Sequence, residues 1–210
     1  MARQRASALL VDLDGVLRRW DPHVLSGVER RYDLPPGALL DTAMKWELLR
    51  PALTGQASHA DWMATVVDAL AGRTGDRDAA RAAVAEWQRY RGEVDPDALA
   101  FVREVRAAGL RVGLATNATD ALDADLAALG LADEVDEVLN SATLGVPKPA
   151  KEYFQTACRA VDTAPDRVLF VDDDDRAVRG ARAAGLSAYR WNGPADLPYL
   201  RGALNLPVAA

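Results

Sequence analysis

Residues 8–16 read ALLVDLDGV, an apolar run of strand length that stops at one carboxylate, Asp12, and meets a second, Asp14, just before Gly15. An apolar run bounded by a turn signal fits a buried strand of a parallel sheet. In open parallel sheets, ligands bind beyond the carboxyl ends of the strands. Two acids on that edge could attack an electrophile, move a proton or hold a hard cation. Aspartates also serve as plain turn residues, so the pair gains meaning only from partners elsewhere. A calcium loop is excluded, because Val16, Leu17 and Arg18 stand where further oxygen ligands would be needed.

Three other stretches could supply those partners. GLATNAT ends an apolar run at Thr116 and Asn117, a hydroxyl and an amide that can donate hydrogen bonds to an anion without adding charge. Asn117 or Thr119 would equally well cap the next helix. In GVPKP, the prolines push Lys148 toward an extended backbone and favour a helix start at Pro149, which predicts Lys148 at a helix N-terminus suited to anions. Lysine occurs only at 45, 148 and 151, all other basic side chains except two histidines being arginine. The run LFV then enters four successive carboxylates, Asp172 to Asp175. Asp174 and Asp175 suit a helix start. Asp172 and Asp173 fall at the strand end, where hard oxygen ligands suit Mg²⁺.

The elements that must position these groups are legible as alternating units. Strands are expected over 111–116, 134–139, 167–172 and 187–191, with helices over 118–129, 150–161 and 175–184. Asp95-Pro96 opens a further helix that Gly109 ends. Such alternation implies an α/β fold, a Rossmann-like parallel sheet with helices on both faces. Residues 17–22 read as a loop, and from there to Gly92 the pattern is helical throughout. Four helices are expected, the second spanning Leu39 to Leu49 and ending before Pro51. Ser58 and Asp61 resemble a cap at the start of the third. Residues 1–16 and 93–210 would thus form the core and 17–92 an inserted four-helix cap, placed to exclude water and select substrates.

The 210 residues are half hydrophobic with a net charge of −6, which allows a packed core and argues against a nucleic-acid surface. No apolar run approaches the ~20 residues of a membrane span. The single cysteine, Cys158, permits no internal disulfide, so a cytoplasmic location is expected.

Taken together, Asp12, Asp14, Thr116, Lys148 and the Asp172-Asp173 pair, in this order and each at the end of a parallel element, resemble the phosphatase-like members of the haloacid dehalogenase superfamily. The resemblance spans nearly the whole chain, including LGVPKP and LFVDD, and the helical insertion resembles that superfamily's C1-type cap. It implies a Mg²⁺-dependent phosphatase of a small phosphorylated metabolite. Asp12 would be the nucleophile that becomes an aspartyl-phosphate, Asp14 the acid and base, and Thr116 and Lys148 the groups that hold the phosphoryl oxygens. The metal would take Asp12, the backbone carbonyl of Asp14, Asp173 and, directly or through water, Asp172. Ala177 departs from the Asp or Asn often found there, which leaves the orientation of lysine and metal in question. Substrate contacts are expected from Asn117 and from Arg18, Arg19 and Trp20, with Trp46, Arg50 and His59 as further residues of the lid. Dehalogenation of 2-haloacids is the alternative on the same fold, but there the second acid is typically tyrosine. A signalling receiver would lack the insertion. A non-catalytic binding member is the third reading.

Overall fold

The computed structural model describes residues 5–206. The run before Asp12 forms β1 (Ala8–Val11), with all four side chains buried. A two-residue strand, β2 (Arg18–Arg19), follows. Five helices come next: α1 (Pro22–Arg31), α2 (Ala38–Ala43), α3 (Trp46–Leu53), α4 (His59–Thr74) and α5 (Arg77–Trp87). The chain returns through β3 (Glu93–Val94), which pairs antiparallel with β2 and sets Arg19 opposite Glu93. The α1–α5 helices enclose their own apolar cluster around Leu39, Trp62, Val66, Leu70 and Val84.

This region differs from the sequence expectation in three places. It holds five helices, because Lys45 is extended and splits the anticipated second helix into α2 and α3. That turn rotates the apolar stripe, so Leu40 and Trp46 face outward. Helix α3 continues through Pro51 because Ala52 and Leu53 beyond it are buried, offsetting the one hydrogen bond a proline removes. Residues 17–22 are not simply a loop: β2 exists because its partner strand arrives from the far side of five helices, which no local pattern reveals. The cap at α4 is as expected, with Ser58 and Asp61 bonding reciprocally, an arrangement whose loss costs about 1 kcal/mol.

The rest of the chain builds the sheet. Helix α6 (Pro96–Ala107) starts at Asp95, whose carboxylate accepts from the N–H groups of Asp97 and Ala98. Then follow β4 (Arg111–Thr116), α7 (Leu122–Leu129), β5 (Glu137–Asn140), the short α8 (Ser141–Leu144), α9 (Lys151–Ala160), β6 (Val168–Asp172), α10 (Asp175–Ala183), β7 (Ser187–Arg190) and α11 (Leu197–Leu204). The order across the sheet is β5-β4-β1-β6-β7, every pair parallel. Side-chain alternation in β1 sends Leu9 and Val11 into one cluster, with α6, α7 and α11, and Ala8 and Leu10 into the other, with α9 and α10. Helices therefore cover both faces. Two boundaries fall later than the sequence suggests: α7 begins at Leu122 and β5 at Glu137. Among the described residues, no helix is long and apolar enough to cross a membrane.

Candidate active site

Because β4 and β6 flank β1, their carboxyl ends and that of β1 open on one edge, where the connections run to opposite sides. Asp12 leaves β1 there, buried to 7% exposure, with Oδ1 accepting from the Leu13 N–H at 2.7 Å. Asp172 ends β6 with no exposed surface, and its Oδ1 accepts from the Asp174 N–H at 2.7 Å. Lys148 Nζ lies between them, 2.9 Å from Asp12 Oδ1 and 2.6 Å from Asp172 Oδ2. Thr116 ends β4, the neighbour of β1, and is buried. Asp174 caps α10 by accepting from the Arg176 N–H, so the aspartate run divides as its positions suggest.

The electrostatics follow from the count of charges. Burial pushes the Asp12 carboxyl up to about 7; Asp172 and Asp14 add to this while Lys148 opposes it. Burial disfavours the Lys148 ammonium, but Asp12 and Asp172 outweigh burial and raise its pKa. Asp173 is also raised, by burial and by Asp172. Three carboxylates thus face one ammonium, and the site is short of positive charge. Carboxylate oxygens of Asp12, Asp172 and Asp173 lie within 4.8 Å of one another. A hard, all-oxygen donor set with this deficit fits Mg²⁺.

Two glycines permit the arrangement. Gly15 has φ of 78°, and a Cβ there would stand 2.2 Å from Asp173 Oδ2. Gly180 lets α10 touch Pro149, where a Cβ would meet the Pro149 carbonyl at 2.6 Å, directly behind Lys148. Lys148 is not at a helix N-terminus, since α9 starts only at Lys151 with Ala150 as its cap. What fixes its backbone is Asn117, whose Oδ1 accepts from the Lys148 N–H at 2.8 Å while its Nδ2 donates to the Lys148 carbonyl at 3.0 Å. Asn117, expected on the substrate, is therefore committed to the lysine segment. Ala177 is buried in the apolar layer beneath α10, and Asp172 and Asn117 orient the lysine without it.

Asp14 is held by the linker that follows it. Its Oδ1 accepts from Arg18 Nε at 2.7 Å and from Trp20 Nε1 at 2.6 Å, and its Oδ2 accepts from Arg18 Nη2 at 3.0 Å. Arg18 also donates to Asp125 of α7 at 3.0 Å. Only 5% exposed and engaged with Asp14 and Asp125, Arg18 does not present the free guanidinium that the expected substrate contact needs. Arg19 is mostly exposed and pairs with Asp95 at 3.4 Å. Trp20 is exposed, with the Arg18 guanidinium 4.6 Å from its ring centre. His59 joins the helical insertion to the loop after Asn117: its N–H donates to Asp120 at 2.6 Å and its Nδ1 lies 3.2 Å from Thr119 Oγ1. Trp46 is exposed. Sequence reasoning missed Asp125, which anchors both Arg18 and Arg91, because an aspartate in the first turn of a helix reads as an ordinary partner of the helix dipole.

A family model described as hydrolase, haloacid dehalogenase-like hydrolase, matches residues 6–185. The chain is 30% identical over 197 residues to the ribulose-1,5-bisphosphate 5-phosphatase of Halopiger xanaduensis, a span of 86% of this chain and 82% of that protein. It is 38% identical over 114 residues to the phosphoserine phosphatase of Thermus thermophilus, covering 53% of this chain but only 45% of that relative. Among solved structures, the L-2-haloacid dehalogenase from Xanthobacter autotrophicus with chloropropionic acid covalently bound superposes with a TM-score of 0.64 at 26% identity, over 88% of this chain and 77% of that chain.

Proposed function

The chain belongs to the haloacid dehalogenase-like hydrolase family as a phosphatase-type member, a phosphoric monoester hydrolase, and from that premise we propose a Mg²⁺-dependent reaction through an aspartyl-phosphate on Asp12. The carrying observation is the buried Asp12–Lys148–Asp172 group with Asp173 beside it. Asp12 attacks phosphorus, a P–O bond forms to its carboxylate, and the ester P–O bond breaks. Asp14 gives a proton to the departing oxygen, then takes one from the water that hydrolyses the acyl phosphate and regenerates Asp12. Lys148 and the donors at Thr116 hold the phosphoryl oxygens. Mg²⁺, held by Asp12, Asp173, the Asp14 carbonyl and Asp172, would supply the positive charge that the carboxylate group lacks.

The substrate is a small phosphorylated metabolite, admitted under the insertion of residues 17–92, which carries α1–α5 and acts as a cap. Arg19 and Trp20, the exposed linker side chains, are the groups placed to meet its leaving portion. The dehalogenase reading is disfavoured by Asp14, since the resemblance to that branch implies a residue there that is typically tyrosine. With Cys158 as the only thiol, a cytoplasmic setting is proposed.

Hydrolysis of 4-nitrophenyl phosphate with Mg²⁺ and with EDTA, for wild type and Asp12→Asn, tests this. Turnover should require the metal and fall by about 10⁴-fold or more in the variant. A folded wild type inactive on this ester and on a metabolite panel would refute the reading. Equal activity of Asp12→Asn would refute the nucleophile.

A further inference from the structure

The insertion meets the core at a second place, away from its two linker strands. His59 is the first residue of α4, so its N–H has no partner within the helix and donates to Asp120 Oδ1 at 2.6 Å. Its ring stands edge-on to Trp62, with Nδ1 3.2 Å from Thr119 Oγ1. Nearby, Gly55 rests on α8, where a Cβ would stand 2.4 Å from the Ala142 carbonyl. The other ring nitrogen of His59, Nε2, is buried with no hydrogen-bond partner among the described residues. An unpaired buried nitrogen costs stability, so this docking contact is held by its other bonds and by packing.

The surface that receives His59 is the loop that holds the lysine. Residues 117–120 follow β4, and Asn117 grips the Lys148 backbone at both its N–H and its carbonyl. The core ties the backbone of this loop to α8: Ser141 Oγ accepts from the Ala118 N–H at 3.1 Å, and Asn140 Nδ2 donates to the Thr119 carbonyl at 2.8 Å. The side chains of Thr119 and Asp120 reach across to His59. We infer that His59 is a positioning residue: docking of the insertion through it sets the 117–120 loop and, through Asn117, the place of Lys148. Its effect on turnover rests on the phosphatase reading above, whereas the link from His59 to Lys148 is readable without catalysis. Misplacing a group that holds the reacting phosphoryl by about 1 Å costs up to about 100-fold in rate.

His59→Pro tests this, because it removes the ring and the N–H together while keeping α4. Proline suits the first position of a helix, and Ser58 before it is already extended, with ψ of 164°. The chain has lysines only at 45, 148 and 151, so protein labelled with ¹⁵N-lysine gives three backbone amide signals. The Lys148 amide, bonded to Asn117, should exchange with deuterium about tenfold faster in His59→Pro. With Mg²⁺, kcat on 4-nitrophenyl phosphate should fall about 3–30-fold. Added to Asn117→Ala, His59→Pro should cost little beyond Asn117→Ala alone. Val66→Ala, inside the apolar cluster of the insertion, is the control: it should lower Tm and change both readouts less than about twofold. Unchanged Lys148 exchange, unchanged kcat, or a kcat loss additive with Asn117→Ala overturns the inference, and so does an equal change in Val66→Ala. If His59→Pro does not fold, Asp120→Ala and Thr119→Ala, which delete the receiving groups, decide it by the same readouts. Faster Lys148 exchange in a protein whose wild type turns over no ester upholds the link and defeats the phosphatase reading alone.

Discussion

Replacing Gly15 with alanine separates the metal anchor from general stability. Its φ of 78° lies in the left-handed region, and a Cβ would sit 2.2 Å from Asp173 Oδ2 and 2.4 Å from its Cγ. Ordinary contact begins near 3.4 Å, so the carboxylate must retreat by about 1 Å. Backbone strain for a residue with a Cβ adds about 1–2 kcal/mol. At about 2–4 °C per kcal/mol for a chain of this size, Tm should fall by roughly 2–8 °C. Gly109 provides the control, since it has the same φ of 78° and nothing within 4 Å of its Cβ position. Gly109→Ala should lose a similar Tm but keep its Mg²⁺ response. Gly15→Ala should need about 10–100-fold more Mg²⁺ for half-maximal turnover. The same displacement should appear without catalysis, as a smaller rise of Tm on adding Mg²⁺. Half-saturation of Gly15→Ala at the wild-type Mg²⁺ concentration would refute Asp173 as an anchor, and an equal shift in Gly109→Ala would refute the steric argument.

Lys148→Met should leave Asp12 and Asp172 facing each other without a cation and cost about 3–5 kcal/mol in denaturant titrations without divalent metal. Adding Asp172→Asn should restore a large part of that loss, and strict additivity would show that the lysine does not hold the pair together. Asn117→Ala removes both hydrogen bonds to the Lys148 backbone; about 1–3 kcal/mol of stability and a clear drop in kcat are expected, and an unchanged kcat would mean the lysine is held without it. The Cys158 thiol is buried and pushed up to about 11, so its thiolate becomes abundant only as pH rises toward that value. Native protein should resist iodoacetamide at about pH 8, and denatured protein should react. Rapid native labelling would contradict the packing of α9.

The sheet and its order of elements were legible because buried parallel strands are written as apolar runs and their covering helices as periodic ones. Val168 to Val171 and Leu9 to Val11 illustrate this, each stopping where a carboxylate begins. Leu39 to Leu49 reads as one helix but forms two, because Lys45 turns the chain without any glycine or proline to announce it. Lys148 stands out as a site residue from its motif, but its support comes from a side chain in the loop after β4, Asn117, and not from a helix N-terminus.

Fold class, the edge on which the acids gather and the identity of the charged groups are all readable from local runs and their stops. How those groups are shared depends on the packed chain. Whether Arg18 meets substrate or Asp14, whether Asn117 meets phosphate or Lys148, and why Gly15 and Gly180 lack side chains all depend on residues far apart in the chain. Hydrogen-bond capacity is finite and packing is close, so such partnerships are settled only when the distant elements meet.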